Sequence, residues 1–161
     1  MSPDTLTTLV HMVLVGLQAS WLSLGAHDNW RYPAVNGDDV KRVLRLEALE
    51  DYPEVQRRVA HRKWDDSRSS DWLFRLLVIV ETLVAAMLWI SVCLLGASLI
   101  SDFNPSRANM FAIISVLGFT SIWGTMLVGG QWFYIWYGEF GQSTHFKLLL
   151  WGICTLVVLL P

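Results

Sequence analysis

Four long stretches of this chain carry almost no charge, and that limits the possible fold more than any motif does. They cover about residues 5–25, 72–100, 108–132 and 144–160. A helix rises 1.5 Å per residue, so about 20 apolar residues cross a hydrocarbon core of about 30 Å. The first three runs are long enough, and the fourth, at about 17 residues, is near the lower limit. Backbone placed in lipid must satisfy its own hydrogen bonds, which makes each run a helix. The expected fold is all-α: an integral membrane four-helix bundle, residues 1–161 forming one membrane domain. Ser23-Leu24-Gly25-Ala26 offers the small residues of a signal-peptide cleavage site. No Lys or Arg precedes Arg31, however, and the apolar run is long, so a retained first span is expected.

The charged residues are unevenly distributed. Of twelve basic and fourteen acidic residues, nineteen fall between Ala26 and Asp71, ten acids interleaved with nine bases. This polar segment, 26–71, reads as an extramembrane cap too small for a large core of its own. Asp28-Asn29-Trp30 and Tyr32-Pro33 suggest a turn-rich exit from the membrane. Asn36-Gly37-Asp38 offers an N-cap for a helix near 39–50, and a second helix is expected near 53–64, with Glu54 and Arg58 paired at i,i+4. The net charge of −2 gives no electrostatic case for nucleic acid.

Four spans put both termini on one side and the cap on the other. The cap side also receives residues 129–145, GGQWFYIWYGEFGQSTH, where span three ends and span four begins. Trp and Tyr favour the membrane–water interface, and Trp21, Trp30, Trp64, Trp72, Trp132 and Trp136 all fall at or near this side. Gln131, Trp132, Tyr134, Trp136, Tyr137, Gln142 and His145 therefore form a candidate corner for contact with a partner, lipid or quinone. Asn104 and Pro105 mark the turn between spans two and three, and Ser143 is a plausible N-cap for span four. Gly118, Ser121, Thr125 and Gly129 form a stripe of small residues along span three, which lets helices approach closely in lipid. Cys93 and Cys154 fall inside apolar runs at different depths, which suggests buried, unreactive thiols and no disulfide.

The order of these landmarks resembles a bacterial family of predicted small integral membrane proteins of unknown function. The carrying residues are Asp28-Asn29-Trp30, Val43-Leu44 with Glu47, His61-Arg62, Glu81, Gly129-Gly130-Gln131-Trp132-Phe133 with Trp136, and Gly141-Gln142. The resemblance implies a four-span, multi-pass protein of the bacterial inner membrane and supplies no activity. Family members tend to have Glu where this chain has Gln131, and a basic linker where it has only Arg107. Such a linker would put the cap outside the cytoplasm, whereas nine bases in the cap favour a cytoplasmic cap, so sidedness stays open.

Glu81 is the sharpest candidate for chemistry, because an ionisable group within a span is costly and is a functional hypothesis by default. Counted from Trp72 it lies roughly 14 Å below the cap side, and Gln18 lies roughly 10 Å deep in span one. The pair is expected to hydrogen-bond across the two helices, as a structural carboxyl–amide contact or in a proton-relay or ligand role, and a shifted register would put Glu81 nearer the interface. His11 and His145 invite a haem reading, but they fall at opposite ends of their spans. His61 and Asp65, with Asp66, have metal-ligand spacing, although surface salt bridges account for them as well. No nucleophile–base pair or phosphate-binding loop is recognisable, so no enzyme activity, cofactor or metal is expected.

The leading expectation is an accessory or structural subunit of a larger inner-membrane assembly, with a respiratory or other oxidoreductase complex as the candidate and the lipid bilayer and other membrane subunits as partners. The alternatives are a small proton-coupled transporter or channel using Glu81, and a quinone- or lipid-binding module at the aromatic corner.

Overall fold

The structure is a computed structural model that describes residues 2–138 and 141–160. Among the described residues there are six α-helices: α1 (Pro3–Arg31), α2 (Pro33–Leu44), α3 (Pro53–Val59), α4 (Ser67–Ile100), α5 (Pro105–Trp132) and α6 (Gln142–Leu159). Short 3-10 turns occur at Glu47–Leu49, Ala60–Arg62 and Ile135–Tyr137. The helices α1, α4, α5 and α6 are long and apolar enough to cross a membrane. They alternate in direction, and each packs chiefly against the next, as in an up-and-down bundle. The protein is a multi-pass integral membrane protein.

Local chemistry sets the helix ends. The Ser2 hydroxyl accepts from the Thr5 amide and Pro3 opens α1, where a missing N–H costs nothing. Tyr32 and Tyr52 both leave helical geometry because a proline follows each of them. Asp66 caps α4 through the Arg68 amide, and Asn104 caps α5 through the Ser106 and Arg107 amides. At the start of α6, Gly141 takes a left-handed conformation (φ 76°).

Several local expectations are corrected here. The helix α1 does not unwind after Gly25 but continues through Asp28-Asn29-Trp30, since nothing before Pro33 breaks it. The first cap helix begins at Pro33, so Asn36, Gly37 and Asp38 lie inside it rather than capping it. The second cap helix ends at Val59 and tightens into the 3-10 turn Ala60–Arg62. Glu54 pairs with Arg57 (3.6 Å), not with Arg58. Gly141, not Ser143, stands at the N-cap of α6. Cys93 and Cys154 are free thiols on the outer surface of the bundle, not in its core.

The bundle core holds Val15, Leu22, Leu88, Leu95, Val116, Phe119, Leu148 and Leu159. Many large apolar side chains point outward, among them Leu24, Leu83, Val128 and Val157. So much exposed apolar surface is what a lipid solvent accommodates and water does not. Small residues let the helices close. A Cβ at Gly152 would collide with the Thr120 hydroxyl and stand 3.3 Å from Phe119 Cδ1, and one at Gly118 would stand 3.2 Å from Val84 Cγ2. A second, smaller core holds Leu46, Leu49 and Val59 of the cap with Val55, Phe133 and Tyr134.

Gly152→Val should force α5 and α6 apart and cost about 1–3 kcal/mol, as overpacking does. Thermal unfolding in mild detergent should show a melting temperature several degrees lower. Gly25→Ala, at a position with nothing within 4 Å, should leave it unchanged or raised.

Candidate functional site

The antiparallel register of α1 and α4 decides what Glu81 meets. Ser23 Oγ accepts from the Trp89 indole N–H (3.0 Å), Gly16 faces Val92, and Gly96 faces Met12. Each step forward on α1 is thus a step back on α4. Gln18 then stands level with residues near Ser91, about ten residues or roughly 15 Å from Glu81. The expected Gln18–Glu81 bond is therefore not formed. Gln18 instead donates to Thr155 Oγ1 (2.9 Å) and to the Trp151 carbonyl (3.4 Å), fastening α1 to α6.

The same register brings Asn29 beside Glu81. Asn29 Nδ2 donates to Glu81 Oε2 (2.8 Å), and Asn29 Oδ1 accepts from Asn36 Nδ2 (2.7 Å). Next to this chain, Trp30 Nε1 donates to Thr82 Oγ1 (2.9 Å). Glu81 and Asn29 are both buried. A carboxyl and two carboxamides thus link α4, α1 and α2, tying the cap to the bundle. Gly37 completes the seat, because α2 rests there against the ring of Phe74. The exposed side chains of His27 and Asp28 mark the water-facing end of α1 at this level. Glu81 consequently lies in the cap-side half of the bundle, level with the last turns of α1.

Of the aromatic corner, residues 139–140 lie outside the described residues. The rest divides into two groups. The first faces the cap. Arg62 Cζ stands 4.3 Å from the Trp132 ring centroid and 5.3 Å from that of Tyr134, and Arg62 Nη1 donates to the Trp132 carbonyl (3.3 Å). Tyr52 meets Tyr137 edge to face at 4.7 Å, and Tyr134 stacks obliquely near Trp136. Leu46 and Tyr134 both adopt left-handed backbone (φ 60° and 57°), a strained state for residues with a Cβ. Both side chains enter the cap core, and that burial offsets the strain. The second group belongs to the α5–α6 seam. His145 stacks on Trp123 (5.6 Å, 28° between planes), and Trp123 meets Trp21 edge to face. Gln142 lines a shallow groove with Leu127, Ser143, Phe146 and Lys147. Gln131 is exposed at the end of α5.

His11 Nε2 lies 3.2 Å from the Val158 carbonyl, thirteen residues along α6 from His145 or roughly 20 Å. The two imidazoles therefore belong to different ends of the bundle. His61 falls in the 3-10 turn and Asp65 beyond it, so they do not share the helix face that their spacing suggests. Asp65 pairs instead with Lys63 (2.9 Å) and Arg45 (3.2 Å). The Lys63 hydrogen bond holds the Asp65 carboxyl below its usual range, and the Ser69 hydroxyl with the Arg68 amide does the same for Asp66. Lys41 reaches Asp71 on α4 (2.8 Å), which pushes the Lys41 ammonium above its usual range.

Sequence reasoning missed Asn29 and Asn36, the partners that complete the Glu81 site. The signal was present in the unbroken helical stretch from Gly25 to Tyr32, which carries Asn29 alongside the second span.

A model of the family described as "Predicted small integral membrane protein (DUF2165)" matches residues 7–161. No curated protein and no solved structure matches the chain.

Replacing Asn29 with Leu strips the donor from buried Glu81 and the acceptor from Asn36, which should cost about 1–3 kcal/mol. Hydrogen exchange should quicken in α2, while Glu81→Gln, which keeps an acceptor for Asn29, should do less damage. Equal exchange in the Asn29→Leu variant and the parent would refute the latch. The cap should also loosen in acid. Asp65 and Asp66 are depressed in the folded state, so their contribution is full above the ordinary carboxylate range and is lost as pH falls through their lowered values. Exchange in the segment joining α3 to α4, corrected for the intrinsic pH dependence, should rise only below about pH 4.

Proposed function

The chain belongs to this family of predicted small integral membrane proteins, and from that premise we propose that it is a non-catalytic accessory or structural subunit of a larger membrane assembly. The observation that carries this reading is the outward face of α5. Gly118 is spent within the chain, against Val84. Ser121 and Thr125 further along the same stripe are exposed, and a Cβ at Gly129 would meet nothing within 4 Å. Small residues on an outer helix face gain nothing from lipid, but they let another helix come close.

The polar groups inside the bundle point the same way, because they join helices of this chain to one another. Gln18 reaches Thr155, Ser91 Oγ lies 2.8 Å from Ser115 Oγ, and Asn109 donates to the Leu159 carbonyl (2.9 Å). A relay built on Glu81 and Gln18 would need the two near each other, and they lie at different levels. A quinone or lipid role at the aromatic corner draws less support, since Arg62, Tyr52 and the cap core fill it from within the chain. We place the assembly in a bacterial inner membrane, with an oxidoreductase complex as the first partner to look for.

Purification from the native membrane in mild detergent, followed by mass spectrometry, should recover stoichiometric partner proteins. Ser121→Leu combined with Gly129→Leu should lower their recovery at least tenfold while the melting temperature of the chain stays the same. A chain that purifies alone, or only with copies of itself, would overturn the reading.

A further inference from the structure

The outer face of α4 has an order of its own. Arg68, Trp72, Arg75 with Leu76, Ile79 and Leu83 recur at helical spacing, so they share one side of the helix. All of them are exposed, and none is used to pack the bundle. Along that side the chemistry runs from two guanidiniums through an indole to aliphatic side chains. A groove of about 480 Å³ opens along one edge of this side, lined by Trp64 of the cap and by Ser69, Trp72, Leu73, Leu76 and Ile79 of α4, with Arg68 and Arg75 beside it rather than in its lining.

Depth gives this order its meaning. The outward apolar residues of α4 run from Trp72 to Ile100, about 28 residues or roughly 42 Å, whereas the hydrocarbon core is about 30 Å thick. Indoles and arginines are at home in the headgroup layer, and they mark the Trp72 end as the one that takes up this excess. Leu76 and Ile79 point from there toward the acyl region.

Charge identifies the occupant. Among the described residues Lys41, Arg42, Arg45, Arg57 and Lys63 each lie within 4.0 Å of a carboxylate. Neither Arg68 nor Arg75 makes such a pair. Among the described residues Arg31, Arg58, Arg62, Arg107 and Lys147 make none either, but they belong to other elements. Only Arg68 and Arg75 share this side of α4, where Arg75 Cζ lies over the Trp72 ring at 6.0 Å. The nearest acids on α4 and its cap are already engaged, Asp66 by Ser69 and the Arg68 amide, Asp71 by Lys41. Guanidinium matches phosphate in both charge and geometry. We propose that this groove binds an anionic phospholipid, with its phosphate held by Arg68 and Arg75 and one acyl chain laid along Leu76 and Ile79. A zwitterionic lipid brings its own cation to the same place and is held less tightly.

The test is native mass spectrometry of the full chain in mild detergent, titrated with phosphatidylglycerol or phosphatidylcholine of the same chains. Phosphatidylglycerol adducts should exceed phosphatidylcholine adducts, and the excess should fall about fivefold for each of Arg68→Gln and Arg75→Gln. Arg57→Gln, at a paired cap residue, should leave the excess unchanged. Raising the ionic strength should shrink the excess in the unaltered protein, a reading that does not depend on any variant folding. Equal adducts of the two lipids, or an excess that survives both salt and the double substitution, would show annular lipid only and overturn the proposal. A protein cross-linked at Trp72 in the native membrane would also overturn it, because it would occupy the groove.

Discussion

An apolar side chain gains little by moving from lipid to a protein interior that is equally apolar. The bundle must therefore be held by close approach of its helices and by hydrogen bonds between them. Both occur at several depths. Gly152 lets α6 settle on Thr120 and Phe119, and Gly118 does the same for α5 on Val84. Gln18–Thr155, Ser91–Ser115, Trp89–Ser23 and Asn29–Glu81 pin each helix to a neighbour at a fixed height. These pins set the register, and the register in turn decides which polar residues become partners.

That dependence explains what could be read in the chain. The four spans were legible because missing charge and sufficient length are properties of single segments. The turn at Asn104–Pro105 was legible for the same reason. The partner of Glu81 was not, because it depends on how far α1 continues and how α1 slides against α4. Ending the first span at Gly25 made Gln18 the nearest amide to invoke. Extending it to Arg31 brings Asn29 into place and leaves Gln18 for α6. Asn36-Gly37-Asp38 has the composition of a helix start, yet Pro33 supplies an earlier one; Asn36 and Gly37 serve tertiary contacts instead, while Asp38 pairs with Lys41 within α2.

The aromatic corner shows the same limit from another direction. Its tryptophans and tyrosines have the composition of a membrane boundary, and the structure puts them where α5 ends and α6 begins. Nothing local announced that Arg62, seventy residues earlier, would lie across Trp132. The cap and the corner share one small core, and two strained residues, Leu46 and Tyr134, contribute to it from opposite sides. The polar cap is therefore an integral part of the membrane domain's upper surface, fastened at Glu81 on one flank and at Trp132 on the other.

The four long helices also differ in length. The α4 helix has 34 residues and α6 only 18, a difference of about 24 Å along the helix axes. The extra length of α4 includes the cap-side end that carries Trp72 and the cap contacts, so the inequality measures how far the bundle rises on one flank to hold the cap. The α6 helix, about 27 Å long by its rise per residue, only just reaches across a hydrocarbon core and must stand nearly upright to do so.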